Sequence, residues 1–190
     1  RELGRMAGVN IPVQPSHHQY MVTEKLEGLS PTMPSLRDPD KLTYYKEEVG
    51  GLVCGGYEFN PIPHLPRPTL NDEEFKLFPE EFDHFEQFMP SMMERFPGLA
   101  NVGVKQWFNG IEGFTEDTFF ILGEAPEVRN FFVSTGYNAM GIAAGGGAGM
   151  AIATWMLEGE TPFDLWPVDI RRFSQFHWSD NAVRTRSLEG

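Results

Sequence analysis

The chain has 190 residues, 41% hydrophobic, 13% aromatic and 22% charged, with a formal net charge of −12. That apolar and aromatic content can bury a core, which excludes a disordered chain, and the negative charge repels phosphate, which argues against nucleic acid and anionic membrane as partners. The lone cysteine, Cys54, allows no internal disulfide and no cysteine-cluster metal site, and no run reaches the roughly 18 apolar residues of a membrane helix.

In chain order, the sequence opens in helical composition without a start methionine and reads as beginning in mid-domain. Leu3, Met6 and Ala7 share a helical face, and Gly8 stops it. His17 to Thr23 alternates and is rich in strand formers, so a strand is expected. Residues 28–41, with several prolines, read as a loop. Leu42 to Glu47 and Leu52 to Phe59 read as strands joined across Val49-Gly50-Gly51, whose glycines supply the positive φ of a tight hairpin. A proline-rich loop follows over Pro61 to Pro68. Phe75, Phe78, Phe82, Phe85, Phe88, Met89 and Met92 then recur at helical steps, with Pro79 in the first turn and Pro90 ending or kinking the helix. This stripe reads as core, and the acids between its members (Glu80, Glu81, Asp83 and Glu86) as a solvated face.

Val104 to Asn109 reads as a strand and Gly110 to Asp117 as a loop. Thr118 to Leu122 and Asn130 to Thr135 are short apolar strands, the second leading through Gly136 into a helix that ends near Leu157. Residues after Pro162 read as an extended tail. The fold class is α+β, mainly antiparallel sheet with flanking helices.

Asn130 to Leu157 is the most informative stretch. Gly145, Ala148, Gly149 and Ala151 would let the helix lie close to a strand, and its first turn offers unpaired N–H groups and a partial positive charge to an electron-rich ligand edge. G-x-G-x-x-G is absent, because Met150 stands at the third glycine position. His18 and Tyr20 share a strand face and His17 points away; an imidazole beside Tyr57 could orient an ammonium or carboxylate and adjust its protonation. The remaining histidines, His64, His84 and His177, have no companions at metal-ligand spacing. Ser134-Thr135 lacks the nucleophile elbow, and Cys54 in an apolar strand reads as inert packing.

Several motifs in order then resemble one family. They are His18-Gln19-Tyr20 with Val22-Thr23-Glu24, Pro34-Ser35-Leu36-Arg37-Asp38, Gly55-Gly56-Tyr57-Glu58 with Asn60-Pro61, Arg95-Phe96-Pro97 and Gly113-Phe114-Thr115. Gly123-Glu124-Ala125-Pro126-Glu127, Gly136 to Gly141, the Gly145 to Gly149 run and Asp169-Ile170-Arg171-Arg172-Phe173 complete the set. Together they resemble the sarcosine and dimethylglycine dehydrogenases, FAD-dependent members of a D-amino-acid-oxidase-like superfamily, and the chain resembles an internal fragment of one. A second resemblance is to the non-catalytic regulatory subunit of pyruvate dehydrogenase phosphatase.

The resemblance implies that residues 1–12 end one FAD-domain segment, 13–107 form the substrate-binding domain, 108–160 return to the FAD-binding domain and 161–190 form a tail or linker. It implies hydride transfer from an N-methylated glycine to FAD, with tetrahydrofolate binding in a further C-terminal domain and an electron-transfer flavoprotein as candidate acceptor. His18 and Tyr57 would sit over the flavin ring as catalytic residues, handling the amine and carboxylate. Gly136, Tyr137, Asn138, Ala139, Met140 and Gly141 would line its pyrimidine edge. The implied location is the cytoplasm in a bacterium and the mitochondrial matrix in a eukaryote. One departure stands out: the family's Phe-Thr-Pro-Asp is here Phe114-Thr115-Glu116-Asp117, a change expected to loosen that loop.

Overall fold

The structure, a computed structural model, describes residues 1–65 and 76–188. Phe75 and the end of the loop expected over Pro61 to Pro68 lie outside them. Helices and antiparallel sheet are mixed, as expected for α+β, and the chain divides into two compact units. One comprises Arg1–Ser16, Ile62–Leu65 and Glu112–Gly190; the other comprises His17–Pro61 and Pro66–Ile111.

The second unit is organised by a sheet of order β2-β3-β4-β1-β5. Its strands are β1 (Gln14–Thr23), β2 (Leu36–Asp38), β3 (Thr43–Glu48), β4 (Gly51–Gly56) and β5 (Val104–Phe114). Register and alternation divide the residues by face. Met21 pairs with Cys54 and Cys54 with Tyr45, while Tyr20 pairs with Gly55 and Gly55 with Tyr44. The Met21, Cys54 and Tyr45 face is the core: with Leu52 it packs against Phe85, Phe88, Met92 and Leu99. Burial there pushes the Cys54 thiol up to about 12, so it stays protonated at neutral pH.

Two expectations about this unit are corrected. The 28–41 loop contains β2, because Leu36 to Asp38 complete the open edge of β3, and Arg95 Nη2 holds Asp38 at 2.7 Å. The aromatic stripe is not one helix: Phe82–Phe85 (α2) and Met89–Arg95 (α3) flank a 3₁₀ turn over Glu86–Phe88. Pro90 lies in the first turn of α3, where its missing N–H would have no helical partner anyway, so it helps start that helix rather than end one. Pro79 precedes α2, and its carbonyl accepts from Asn109 Nδ2 at 2.7 Å. Phe85, Phe88 and Met92 are buried as the spacing requires.

The β3–β4 turn also differs in detail. Gly51 already belongs to β4, and the positive φ values fall on Val49 (51°) and Gly50 (85°). Two consecutive positive φ values suit the right-handed twist of a hairpin, yet a β-branched residue there costs about 1–2 kcal/mol. Val49 is 86% exposed. Val49→Asn, which creates the favoured Asn-Gly pair, is therefore expected to stabilise the protein by about 1 kcal/mol, read as a higher midpoint in chemical denaturation.

In the first unit, α1 (Glu2–Met6) leads past Gly8, at φ 79°, into an extended run. Leu3 and Met6 are exposed among the described residues; the buried contact is made by Gly4, where a Cβ would come 2.6 Å from Ile11 Cδ1. β5 continues through Phe114, so Gly110 to Phe114 is strand rather than loop. β6 (Ile121–Glu124) and β7 (Phe132–Thr135) form a separate antiparallel pair, and α4 (Gly141–Glu158) follows the turn after β7 as expected.

Only part of the small-residue set of α4 faces inward. Ala148, Ala151 and Trp155 are buried beside Leu122 and Leu165, while Gly145 and Gly149 are exposed and a Cβ on either would meet nothing within 4 Å. At about 100° per residue they rotate away from the buried arc. The stretch expected as an extended tail is largely helical: three short 3₁₀ turns precede α5 (Asp180–Ser187), and Ile170 and Val183 are buried. Asp180 of α5 pairs with Arg1 and Arg5. Glu116 ties its loop down rather than loosening it, with Oε1 lying 2.6 Å from His177 Nε2. Beside it, burial works against the Asp117 carboxylate, but the Arg172 guanidinium outweighs it and holds Asp117 below the usual range.

Candidate functional site

Chemistry-bearing residues gather in two places, one in each unit.

In the second unit the sheet face opposite the core carries His18. Its side chain is 6% exposed, and it stands among three polar groups. The Tyr57 ring lies 5.1 Å from it, centroid to centroid. The Tyr44 hydroxyl lies 3.3 Å from His18 Nε2, and Glu58 Oε2 lies 3.7 Å from Nδ1. The two tyrosine rings are 5.9 Å apart, and the Arg37 guanidinium lies 5.1 Å from the Tyr57 ring centre. Strand alternation explains the grouping, since Tyr44 and Gly55 are paired and Tyr57 is two residues on from Gly55. Gly55 is required by the close approach, because a Cβ there would sit 2.1 Å from Tyr44 Cζ.

The structure thus brings His18 and Tyr57 together. His17 turns away, with Nδ1 3.2 Å from Asn109 Oδ1 and its ring against Phe78. Tyr20 stacks on Phe108 at 4.6 Å. Tyr44 and Glu58 complete the cluster; neither carries a site role in the sequence reading, although Glu58 stands in the Gly55 to Glu58 motif. Tyr44 had a usable signal in its strand parity with Gly55; Glu58 had its place in the motif beside Tyr57, but no parity signal, since it follows the end of β4.

Glu58 is the unusual member. Its side chain is 4% exposed, and its Oε1 accepts no hydrogen bond from the described residues. A carboxylate withdrawn from water needs a compensating positive charge or donor.

In the first unit, the turn between β7 and α4 borders an open cavity of 360 Å³ lined by Glu112, Gly136, Tyr137, Asn138, Ala139 and Gly141, among others. Met140, expected with them, is 44% exposed and is not part of the lining. The turn holds three positive φ values: Gly136 at 65°, Asn138 at 49° and Ala139 at 64°. The buried Asn138 side chain maintains this shape: Oδ1 accepts from the Thr115 N–H at 2.9 Å and Nδ2 donates to the Gly136 carbonyl at 2.7 Å. Asn138 therefore serves the cavity through its backbone. Tyr137 stacks on Phe120, and its hydroxyl lies 2.6 Å from Ser134 Oγ.

The 18-residue α4 starts at this cavity with no side-chain cap bond at Met140. First-turn N–H groups and the helix dipole suit the electron-rich carbonyl edge of a flavin. The lining is mostly glycine, alanine and backbone, which leaves room for a flat ring to approach. These residues fit that group.

Comparison with known proteins agrees with this architecture. Residues 1–155 match the family model "FAD dependent oxidoreductase", and 158–190 match "FAD dependent oxidoreductase central domain". The chain is 40% identical over 172 residues to mitochondrial sarcosine dehydrogenase of Mus musculus, covering 90% of this chain and 18% of that protein. It is 34% identical over 182 residues to the mitochondrial pyruvate dehydrogenase phosphatase regulatory subunit of Mus musculus, covering 95% and 21%. Among solved structures, L-proline dehydrogenase from P. horikoshii superposes with a TM-score of 0.71 at 21% identity, over 90% of this chain and 43% of that one. The chain therefore spans about a fifth of the length of these two curated relatives. With the family model matching most of its residues, this chain belongs to the FAD-dependent oxidoreductases.

Proposed function

We propose that the protein containing this chain oxidises N-methylated glycines, sarcosine or dimethylglycine, with His18 and Tyr57 acting on the substrate and Gly136, Tyr137, Asn138, Ala139 and Gly141 bordering the flavin. The observation that carries this reading is the enclosed His18 cluster, since packing alone gives no reason to bury an imidazole and a carboxylate among two phenols. The 40% identity to a sarcosine dehydrogenase supports the choice of substrate.

FAD, when bound, supplies the hydride acceptor for the N-methyl carbon. The chain's own residues bind, orient and deprotonate. With Nδ1 toward Glu58, Nε2 is the basic nitrogen of His18; the Tyr44 hydroxyl beside it gives way to the substrate ammonium, whose proton Nε2 takes, and this frees the nitrogen lone pair that drives hydride loss. The Tyr57 hydroxyl serves the substrate carboxylate. On this reading residues 13–107 form the substrate part and 1–12 with 108–160 the flavin part. The acceptor is an electron-transfer flavoprotein, and tetrahydrofolate takes the one-carbon product in a further domain. The location is the mitochondrial matrix in a eukaryote, as in the named mitochondrial relatives, or the cytoplasm in a bacterium.

A non-catalytic role like that of the phosphatase regulatory subunit is the second reading, favoured by the 34% identity. The two separate on the intact, flavin-loaded protein offered sarcosine, dimethylglycine or glycine without oxygen. Bleaching of the flavin by a methylated glycine but not by glycine is the expected result, and His18→Ala should slow that reduction by about 100-fold or more. A flavin that stays oxidised with all three would favour the regulatory reading.

A further inference from the structure

We propose that Glu58 is the positioning residue for His18, fixing the tautomer of the imidazole and stabilising the imidazolium formed during the reaction. The inference rests on the reading of His18 as the group that takes the substrate's proton, and on geometry specific to these side chains. Both side chains are almost withdrawn from water, at 6% and 4% exposed, and Glu58 Oε2 faces Nδ1 at 3.7 Å. Among the described residues the ionisable groups around this imidazole are Glu58, the Tyr44 hydroxyl at Nε2 and Tyr57 beside the ring, with Arg37 beyond Tyr57. His17, the adjacent histidine, is directed to Asn109 and Phe78. Glu58 is therefore an anionic partner of the His18 ring among the described residues.

Two consequences follow from its charge. A carboxylate beside Nδ1 favours the tautomer that carries its proton there, leaving Nε2 as the basic nitrogen. It also stabilises the imidazolium formed when Nε2 takes a proton from the substrate ammonium. The step balances: one N–H bond of the substrate breaks, one N–H bond forms on His18, and the buried charges change from Glu58⁻ with substrate ammonium to Glu58⁻ with imidazolium. Glu58 thus receives a cation in either state, which accounts for a buried Oε1 without a hydrogen-bond donor. The arrangement suits a cationic amine as the incoming substrate class.

In the intact holoenzyme, Glu58→Gln is expected to slow flavin reduction by a methylated glycine about tenfold. Glu58→Asp, which keeps the charge, should restore most of the rate. The tautomer of His18, read from its ring nitrogen shifts by NMR on histidine-labelled protein and assigned with His18→Gln, should lose its preference for the Nδ1–H form in Glu58→Gln and keep it in Glu58→Asp.

An identical His18 tautomer in wild type and Glu58→Gln would overturn the proposal, whether or not methylated glycines are turned over. So would a tautomer in Glu58→Asp displaced as far as that in Glu58→Gln. A displaced tautomer in a protein that oxidises no methylated glycine would instead leave Glu58 in this role and remove the substrate assignment.

Discussion

Replacing Asn138 with alanine is expected to destabilise the protein by about 3–7 kcal/mol and to release the flavin. The side chain satisfies two buried backbone groups, the Thr115 N–H and the Gly136 carbonyl, and also bonds the Thr115 hydroxyl. Truncation leaves both backbone groups buried and unpaired, at about 1–3 kcal/mol each. The residue also has φ 49°, which asparagine tolerates and alanine resists by about 1 kcal/mol. Asn138→Asp keeps the acceptor and loses the donor, so it should fall between the two. Chemical denaturation gives the stability change, and free against bound flavin absorbance gives retention. A variant as stable as wild type would show that the turn is held by other contacts.

A second large effect is expected at Gly55. Its Cβ would fall 2.1 Å from Tyr44 Cζ and 2.2 Å from the hydroxyl oxygen, an overlap that only movement of the ring can relieve. Gly55→Ala should therefore lose about 1–3 kcal/mol through strain and carry the Tyr44 hydroxyl away from His18 Nε2. The functional loss should exceed that of Tyr44→Phe, which deletes the hydroxyl but leaves the ring in place. Flavin-reduction rates of the two variants, with their denaturation midpoints, make the comparison. Equal rates for Gly55→Ala and wild type would mean that the Tyr44 contact with His18 is dispensable.

Much of the local structure was legible in the chain. Alternation through His18 and Tyr20, the glycines near 50 and the break at Gly136 placed β1, the hairpin and the start of α4. Boundaries were less legible wherever a partner decides them. Leu36 to Asp38 are strand because β3 offers an open edge, and Gly110 to Phe114 continue β5 although their composition reads as loop. The aromatic stripe gave the right buried residues and the wrong geometry, because burial depends on spacing whereas helix type depends on the backbone at each proline.

The site divides in the same way. His18 and Tyr57 could be selected because strand parity and motif order are properties of the chain. Tyr44 at Nε2, Glu58 at Nδ1 and the use of Asn138 as a brace depend on which strands pair and how the chain turns at their ends. By itself the sequence determined the family, the alternating faces and the glycine positions, since these follow from local sterics and residue order. Only tertiary structure decided the company of the imidazole and the bonds of the turn, because residues far apart in the chain meet only when the sheet assembles.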